Sequence, residues 1–574
     1  MDLTPDALMR AVYPTAAALK SPPSPRAEES TESDNPSWEE SQLNPKNRID
    51  SFDPVASPRW RIDGSCGLGT QFYTVPLFLP MMSPMRIDTF IPDWSTCPPA
   101  FRRLLEIDSA FHCRDARVAR LGISRHILRA LEFWTDNSQD FADQYKSLPF
   151  GSRIVFRNLA KNIRDIEIKI FPTHYLECQF LPLEDVQASM KAKPLSWPPL
   201  LNLSNLQFER QLHDSICLVY IPTKAGPRYL VLKALNSSPK YLYRELENLL
   251  CLPPHPNIIS SPQHLVTKRC GFGPKIAIIG FTLEYHPLGT LRDILPRRRI
   301  CGTLKLADQL RWSIQLTSAL IHIQSHGMFY SDLRLDNILL SESGDLVMVD
   351  FEQRGMWCTF SSPEINRQGY AHMLACNDQV PQETRARFRT LLDRCVPGWN
   401  KECSTDCRNL VSGNLMRWMM PGREAEEATE VYMLGRVLWC IFEGCSMPES
   451  AVWHSCQHED DLEFPRYSQT PLELRKIIDG CTAGREEWRD QRGQGIVRKG
   501  NRLVLRAGDG TETKGAVEAE ATRWWQRELE RAEEFLEMRR QRTTRGDTQN
   551  HLGRPTLRAV LGALEGVDCE GGDG

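Results

Sequence analysis

The sequence predicts an α+β protein in which a strand-rich segment is followed by a longer, mostly helical one. Apolar runs at 216–221, 229–235 and 276–283 indicate strands. Apolar residues within 306–321 recur three and four positions apart, which indicates a helix that buries one face. These patterns place the strands before the helices along the chain.

Composition excludes several classes of protein. Hydrophobic residues make up 41% and charged residues 25% of the 574 residues, so a sizeable core can form. A net charge of −3 gives no sign of a nucleic-acid or membrane-surface binder. The 18 scattered cysteines suggest free thiols in a reducing compartment. Without a leader-like start or a membrane-length apolar run, we expect an intracellular protein of the cytoplasm or nucleus.

The first two segments carry no recognisable chemistry. Residues 1–60 are rich in Pro, Ser and Glu and have too little apolar surface to offset their ordering entropy, so they predict a disordered tail. Residues 61–205 predict an accessory N-terminal region of unknown function. Within it, we expect short helices in 100–135, strands at 154–156 and 166–171, and a proline-rich connection at 193–205.

The stretch from Asp332 to Asp350 groups polar side chains suited to phosphoryl transfer. Asp332 and Asn337 lie five residues apart, and two apolar runs joined by a Ser-Glu-Ser-Gly turn lead to Asp350. A hairpin formed by these runs would bring Asn337 close to Asp350. Phosphoryl transfer requires charge neutralisation by Mg²⁺ and alignment of the nucleophile, and this trio offers both.

This stretch resembles the protein kinase superfamily. Residues 332–337, Asp-Leu-Arg-Leu-Asp-Asn, are similar to its D-L-x-x-x-N catalytic loop, and residues 350–352, Asp-Phe-Glu, are similar to D-F-G. Two departures stand out: Tyr330-Ser331 replaces the usual His-Arg, and Glu352 replaces the glycine. Tyr330-Ser331 and residues 353–355, Gln-Arg-Gly after Asp-Phe-Glu, also resemble a group of fungal kinase-domain proteins.

The resemblance implies a role for each polar residue of the stretch. Asp332 would be the base for the incoming hydroxyl, and Arg334 would stabilise the transferred group. Asn337 and Asp350 would hold Mg²⁺.

The preceding segment resembles the small lobe of a kinase. Lys233 follows Val-Leu in a predicted strand, similar to the V-A-I-K lysine that contacts phosphates, and a predicted helix at 242–252 carries Glu245 as its ion-pair partner. Glu247 lies about 200° further around that helix, so only one of the two glutamates can face the lysine, and we prefer Glu245. The resemblance implies a nucleotide site at Val219, Val231, Lys233, Leu283, Glu284, His286 and Asp350, with Leu283 as gatekeeper.

The glycine-rich phosphate loop is absent. If Val219 corresponds to the valine of that motif, the glycine positions fall on Leu212, Asp214 and Cys217. We therefore expect weaker nucleotide binding than usual. This gap supports a second hypothesis, a pseudokinase scaffold that acts through protein partners.

Motifs near the end of the chain resemble the large lobe. Residues 362–364, Ser-Pro-Glu, look like A-P-E, and Arg554 lies in an R-P-T segment whose arginine would pair with Glu364. Glu430 begins a segment similar to D-x-Y-x-L-G, the buried anchoring helix. Only fourteen steps separate Asp350 from Glu364. Because Ser331 also replaces the phosphate-clamping arginine, we do not expect control by phosphorylation of this segment.

Two inserts interrupt the resemblance, at about 366–428 and 485–550. The first contains Cys395, Cys403 and Cys407, which we interpret as free thiols because their spacing is loose for zinc. The second predicts a helix with an apolar stripe that docks on the lobe or on a partner, with docking within the molecule favoured. This stripe consists of Val517, Ala521, Trp525, Ala532 and Leu536.

The resemblance implies a two-lobed kinase-like fold, with a β-rich N-lobe at 206–287 and a helical C-lobe at 288–574. Its expected activity is transfer of the γ-phosphate of Mg·ATP to a protein hydroxyl, with Ser or Thr favoured over Tyr. A small-molecule phosphotransferase is the third hypothesis, and the Glu430 and Arg554 motifs argue against it. The expected partner is a protein substrate or binding partner, with no nucleic acid and no membrane.

Overall fold

The chain divides into two compact units. The structure is a computed structural model, and it describes residues 58–567 with gaps at 66–69, 79–86, 93–96, 106–121, 138–140, 147, 150, 191–195, 214, 235–238, 272–273, 354, 358, 377–379, 397–398, 400–421, 449–463, 485–495, 500–501, 506–513 and 546–551. The described residues of 58–254 and 260–285 form the strand-rich unit. Those of 255–259 and 286–567 form the helical unit. The predicted tail at 1–60 lies almost wholly outside the described residues.

A five-stranded sheet begins the strand-rich unit. Its strands, in spatial and chain order, are β1 (Trp60–Ser65), β2 (Gln71–Pro76), β3 (Ile87–Phe90), β4 (Arg153–Phe156) and β5 (Ile168–Phe171). Neighbours are antiparallel except β3 and β4, which are parallel. A parallel pair needs a long crossover, and the described residues between these two strands form three helices. They are α1 (Pro99–Leu104), α2 (Gly122–Asp136) and α3 (Phe141–Lys146).

Helix α2 covers this sheet because one of its faces is apolar. Ile123, Ile127 and Leu131 are fully buried in a core shared with Trp60 of β1. The indole Nε1 of Trp60 donates to Thr135 Oγ1 at 3.3 Å, so the polar atom of the largest core side chain is satisfied. After β5 the chain forms α4 (Tyr175–Gln179) and α5 (Leu183–Ser189).

A second, six-stranded sheet completes the strand-rich unit. Its strands are β6 (Leu200–Asn202), β7 (Gln207–His213), β8 (Ile216–Thr223), β9 (Gly226–Lys233), β10 (His264–Arg269) and β11 (Ile276–Leu283), and its spatial order is β6-β10-β11-β9-β8-β7. Helix α6 (Pro239–Cys251) follows β9. The segment 193–205 was predicted to be a plain connection. Its residues 200–202 instead form β6, which pairs parallel to β10.

The helical unit is assembled around one buried helix. Its helices are α7 (Leu291–Ile300), α8 (Leu306–Ser325), α9 (Pro363–Cys376), α10 (Gln382–Cys395), α11 (Arg423–Glu443), α12 (Leu472–Cys481), α13 (Lys514–Thr544) and α14 (Leu557–Glu565). Two hairpins accompany them: β12 (Ile338–Leu340) with β13 (Leu346–Met348), and β14 (Ile496–Lys499) with β15 (Arg502–Leu505). Residues 428–443 of α11 are buried on every face. A helix buried all round forms the centre of a helical core.

Helices from the two predicted inserts pack together. Phe388 and Leu392 of α10 share an apolar cluster with Ala532 and Leu536 of α13. Docking of the stripe within the molecule is confirmed for Ala532 and Leu536, whereas the side chains of Val517, Ala521 and Trp525 lie outside the described residues. Helix α9 runs unbroken from Pro363 to Cys376, across position 366 at which the first insert was predicted to begin, and the insert bounds stay a prediction.

Other expectations can be compared directly with the structure. The predicted helices at 242–252 and 306–321 correspond to α6 and α8, and the predicted strand at 276–283 is β11. Cysteines whose thiols are described, including Cys395, are free; Cys403 and Cys407 lie outside the described residues. Among the residues placed by the structure, no helix is both long and apolar enough to cross a lipid bilayer.

Candidate active site

Lys233 and Glu245 form a buried ion pair in the strand-rich unit. Lys233 Nζ lies 2.6 Å from Glu245 Oε2, and their side chains are 3% and 0% exposed. Glu247 is only partly buried on another side of α6, so the preference for Glu245 is confirmed. A buried charge is tolerated when a partner of opposite sign lies close to it, so each member of this pair requires the other.

Strand pairing positions the ammonium group of this pair. Lys233 ends β9 and lies between Ile216 of β8 and Phe281 of β11. A Cβ atom at position 280 would collide with the carbonyl oxygen of Lys233, so Gly280 allows the two strands to approach closely. Sequence reasoning did not identify Gly280 as a positioning residue, because its partner strand lies almost fifty residues away.

The apolar residues expected to form a nucleotide site lie on the same three strands. Val231 of β9 is the register partner of Leu283 at the end of β11, and Val219 of β8 pairs with Leu230. Val219 is fully buried and Leu283 nearly so. The side chain of Glu284 is exposed, and the chain passes from the strand-rich unit to the helical unit between 285 and 286, so His286 belongs to the latter.

Strands β7 and β8 form the hairpin in which glycines are missing. Gln211 pairs with Cys217, and the Cys217 thiol donates to Gln211 Oε1 at 3.0 Å. Side chains therefore occupy a turn region in which a glycine-rich loop would present bare backbone. Asp214, the residue expected to bring negative charge, lies outside the described residues.

The predicted hairpin in the helical unit forms between β12 and β13. Val349 N donates to Asn337 O at 3.0 Å, which brings the residue before the first strand next to the end of the second. Asn257, from the segment His-Pro-Asn-Ile, braces the hairpin: its Nδ2 donates to Leu346 O and its carbonyl accepts from Met348 N, both at 2.9 Å. The expected proximity of Asn337 and the Asp350 segment is confirmed.

Asp332, Arg334 and Asn337 form one polar cluster. Asn337 Nδ2 donates to both Asp332 O and Asp332 Oδ2 at 2.9 Å. Arg334 Nε lies 3.3 Å from Asp332 Oδ1, and its guanidinium stacks 4.8 Å from the centre of the Trp357 ring. Both carboxylate oxygens of Asp332 therefore have a partner that holds the side chain in one orientation.

The environment of Asp332 suits a proton acceptor near neutral pH. The pKa of Asp332 is raised to about 6: burial is the main cause and Asp350 adds to it, while Arg334 and the Asn337 hydrogen bond oppose the rise. A carboxylate with a pKa near 6 is mostly ionised at pH 7 yet more basic than an ordinary aspartate. A general base is most effective when its pKa lies near the working pH, so Asp332 fits that role.

Asp350 and Gln353 both adopt left-handed backbone conformations, with φ of 66° and 53°. Such angles are uncommon for residues other than glycine, and strained backbone concentrates at functional sites. Between them, Phe351 is fully buried, with its ring centroid 5.2 Å from that of Tyr330. This packing fixes the chain on the carboxyl side of Asp350.

Tyr330 and Ser331, the two departures from the catalytic-loop motif, are structural braces. Tyr330 N donates to Glu430 Oε1 at 2.9 Å, and the phenol donates to Val349 O. Ser331 donates through its N–H and its hydroxyl to Gln353 Oε1, at 2.8 and 2.9 Å. The sequence singled out Gln353 only through the resemblance of residues 353–355 to fungal kinase-domain proteins, and its contact with Ser331 was not predicted.

Glu430 of α11 anchors the loop that leads to Asp332. Burial raises its pKa to about 8, and the bond from Tyr330 N opposes that rise. At neutral pH the carboxyl group is therefore mostly protonated, and its carbonyl oxygen can still accept the Tyr330 N–H.

Arg554 pairs with Glu364 as predicted. Its Nη1 and Nη2 lie 2.5 and 3.1 Å from the two carboxylate oxygens, a bidentate arrangement. Nε donates to Ala483 O at 2.9 Å, Nη1 also donates to Ala428 O at 3.1 Å, and the guanidinium lies 4.7 Å from the centre of the Tyr432 ring. The segment after Asp350 is thereby joined to the chain near α14.

Comparisons with known proteins point to one chemistry. No model of a known protein family matches the chain. The chain is 32% identical over 118 residues to Fatty acyl-CoA synthetase and RNA processing-associated kinase 1 of Saccharomyces cerevisiae, covering 21% of this chain and 12% of that protein. It is 31% identical over 140 residues to CBL-interacting serine/threonine-protein kinase 21 of Arabidopsis thaliana, covering 24% and 30%. Serine/threonine-protein kinase KIN4 of S. cerevisiae is 32% identical over 110 residues, covering 19% and 12%.

These matches support a protein kinase-like domain. The chain spans between 12% and 30% of the lengths of these three relatives, so the matches concern one part of each protein. The mixed α and β structure is compatible with such a domain.

The kinase-like domain contains donors that suit Mg²⁺. Mg²⁺ prefers oxygen ligands, and Asp350 offers a carboxylate while Asn337 offers an amide oxygen. The Nδ2 end of Asn337 is directed at Asp332, so the amide oxygen is at the other terminus of the group. These donors fit a magnesium ion, and Mg²⁺ bound there would neutralise phosphate charge.

Proposed function

We propose that the protein is a protein kinase that transfers the γ-phosphate of ATP to a protein hydroxyl, with Ser or Thr favoured over Tyr. The observation that carries this proposal is the Asp332 cluster: a partly buried carboxylate held by Asn337 and Arg334 and with a pKa near 6. The partial matches to protein kinases give it independent support. The two-lobed interpretation of the fold, with lobes at 206–287 and 288–574, is part of the same proposal.

Each residue has one role in this proposal. Asp332 accepts the proton of the substrate hydroxyl, and Arg334 stabilises the transferred group. Lys233 contacts the phosphates, with Glu245 keeping its ammonium charged and oriented. Asn337 and Asp350 hold Mg²⁺. The adenine site is assigned to Val219, Val231, Leu283 and the backbones of Glu284 and His286.

A second candidate function, a pseudokinase scaffold, is favoured by the β7–β8 hairpin. Its glycine positions are occupied by larger residues, and the Cys217–Gln211 bond fills the turn region with side chains. Weak or absent nucleotide binding would follow, and the protein would then act through protein partners.

Phosphate transfer to a general protein substrate tests the first proposal. Purified full-length protein is incubated with radiolabelled ATP, Mg²⁺ and dephosphorylated casein, beside Asp332→Asn and Asp293→Asn. Asp293 is exposed on α7, so its variant is the matched control. Asp332→Asn should lower transfer at least about a hundredfold because general base catalysis typically contributes at least that much. Equal rates in wild type and Asp332→Asn would contradict the proposal.

A further inference from the structure

The accessory region contacts helix α6 through Tyr243. Leu181, between α4 and α5, lies beside Ile278 of β11, and Ile278 N donates to Leu181 O at 2.9 Å. On the other side, Leu181 N donates to the Tyr243 hydroxyl at 2.7 Å, and that hydroxyl donates to Ile278 O at 2.9 Å. Leu181 and Ile278 therefore share one direct backbone hydrogen bond. The Tyr243 hydroxyl bridges Leu181 N and Ile278 O, which form no direct bond with each other.

Tyr243 holds the side of α6 that faces away from the ion pair. It precedes Glu245 by two residues, which is about 200° around the helix. Glu245 is bound to Lys233 of β9, and Tyr243 to Ile278 of β11. Bonds on two opposite faces restrict rotation of the helix about its axis.

The accessory segment is fixed in place by a buried carboxylate. Glu177 of α4 is 1% exposed; it accepts from Lys268 Nζ at 2.8 Å and from Gly271 N at 2.6 Å. Lys275 Nζ donates to its backbone oxygen at 3.0 Å. Charge-assisted bonds of this kind are stronger than neutral ones, so residues 177–181 are firmly attached to β10 and β11.

A second attachment holds the hairpin that lacks glycines. Arg61 of β1 donates through Nη2 to Glu209 O at 2.8 Å, and Gln211 N donates to Asp63 Oδ2 at 2.8 Å. Strand β7 is therefore bound to the accessory sheet. The accessory region contacts both elements that resemble the phosphate-binding parts of a kinase, β7 and α6.

We propose that Tyr243 is a positioning residue for Glu245, and that the accessory segment 177–181 keeps α6 in the orientation that forms the Lys233–Glu245 pair. The accessory region is then an intramolecular activator of the domain. Only the predicted effect of Tyr243 on phosphate transfer rests on the proposed function. The positioning itself is measurable without any activity.

The first test measures amide hydrogen exchange in the full-length protein. Tyr243→Phe retains the ring and removes the hydroxyl that bridges Leu181 and Ile278, so amides of 176–183 and 243–251 should exchange about tenfold faster. Tyr241→Phe, on the same helix, is the matched control and should leave both segments unchanged. Glu177→Gln should accelerate the same two segments. Exchange within twofold of wild type in both Tyr243→Phe and Glu177→Gln would overturn the proposal.

The second test follows the ion pair itself. Acylation of Lys233 by an amine-reactive acetyl ester is compared with that of Lys224, an exposed lysine in the β8–β9 turn. Tyr243→Phe should raise Lys233 labelling about tenfold relative to Lys224 because it frees the ammonium group. Faster exchange in α6 with unchanged Lys233 labelling would show a structural role only and would overturn the positioning role.

The activity measurement separates the two proposals. If the wild type transfers phosphate, Tyr243→Phe should lower kcat about tenfold, whereas Tyr241→Phe should not. An unchanged kcat in Tyr243→Phe would overturn the activating role. If the wild type transfers no phosphate, the proposed function fails, and the exchange and labelling results still decide the positioning claim.

Discussion

Replacing Arg554 with alanine should destabilise the helical unit strongly. The guanidinium satisfies both oxygens of Glu364 and two backbone carbonyls, and the Arg554 side chain is 1% exposed. Leaving a buried carboxylate unpaired costs about 3–5 kcal/mol, and each of the two lost bonds to a carbonyl adds about 0.5–1.5 kcal/mol. Because the Glu364 side chain is 17% exposed, we use the lower end and expect about 4 kcal/mol in total.

Thermal denaturation is a suitable assay for this variant. A loss of about 4 kcal/mol corresponds to a fall of roughly 8–16 °C in the Tm of a unit of 150–250 residues. Arg558→Ala, an exposed position on α14, is the matched control and should change the free energy of unfolding by less than about 0.5 kcal/mol. The double variant Arg554→Ala with Glu364→Ala should recover part of the loss because no unpaired carboxylate remains. A change below about 0.5 kcal/mol in Arg554→Ala would refute the reasoning.

The same ion pair predicts how stability changes with pH. Burial acts to raise the pKa of Glu364, but Arg554 outweighs it and holds that pKa below the ordinary value. A lowered folded-state pKa stabilises the protein above the pKa of the unfolded state, and that stability is lost as pH falls through the folded-state value. Wild type should therefore lose more stability than Arg554→Ala between pH 6 and pH 3.

Two further predictions concern the segment around Asp332. Because the pKa of Asp332 is about 6, phosphate transfer should fall as pH drops from 7 to 5, and a flat profile with the fold intact by circular dichroism would contradict its role as base. Replacing Thr359, Ser361 or Ser362 with glutamate should not raise the rate of phosphate transfer. These residues are at most 4% exposed, and Arg436 already donates to Thr359 O. A tenfold rise in any of the three variants would refute this prediction.

The resemblance to protein kinase motifs was enough to predict the central ion pairs. Lys233 in a predicted strand and Glu245 in the next predicted helix meet in the structure, and so do Arg554 and Glu364, 190 residues apart. In both cases the resemblance to kinase motifs predicted the partner, and the helix period only favoured Glu245 over Glu247. The β12–β13 hairpin was equally predictable because a turn signal separates two short apolar runs.

Long-range packing accounts for what the sequence did not reveal. Strand β6 was missed because its three residues, in a proline-rich segment, are too few to show the alternation of apolar and polar residues that marks a strand. Its pairing with β10 also depends on residues more than sixty positions away. Tyr243 is one of several apolar-facing residues in α6, and only the folded chain places Leu181 beside it. Helices α10 and α13 share one apolar core although they belong to two inserts that lie far apart in the sequence. No local pattern indicated that these two inserts pack against each other.

The central claim is most directly tested by the Tm of the full-length protein with ATP, measured with and without Mg²⁺. Lys233→Ala and Asp350→Ala are the test variants; Lys224→Ala and Asp293→Ala are the exposed controls. Ligand at about a hundred times its Kd adds roughly 2.7 kcal/mol, which raises Tm by several degrees. The account predicts a Mg²⁺-dependent rise in wild type and both controls that is lost in Lys233→Ala and Asp350→Ala. No rise at millimolar ATP would contradict it and favour the scaffold.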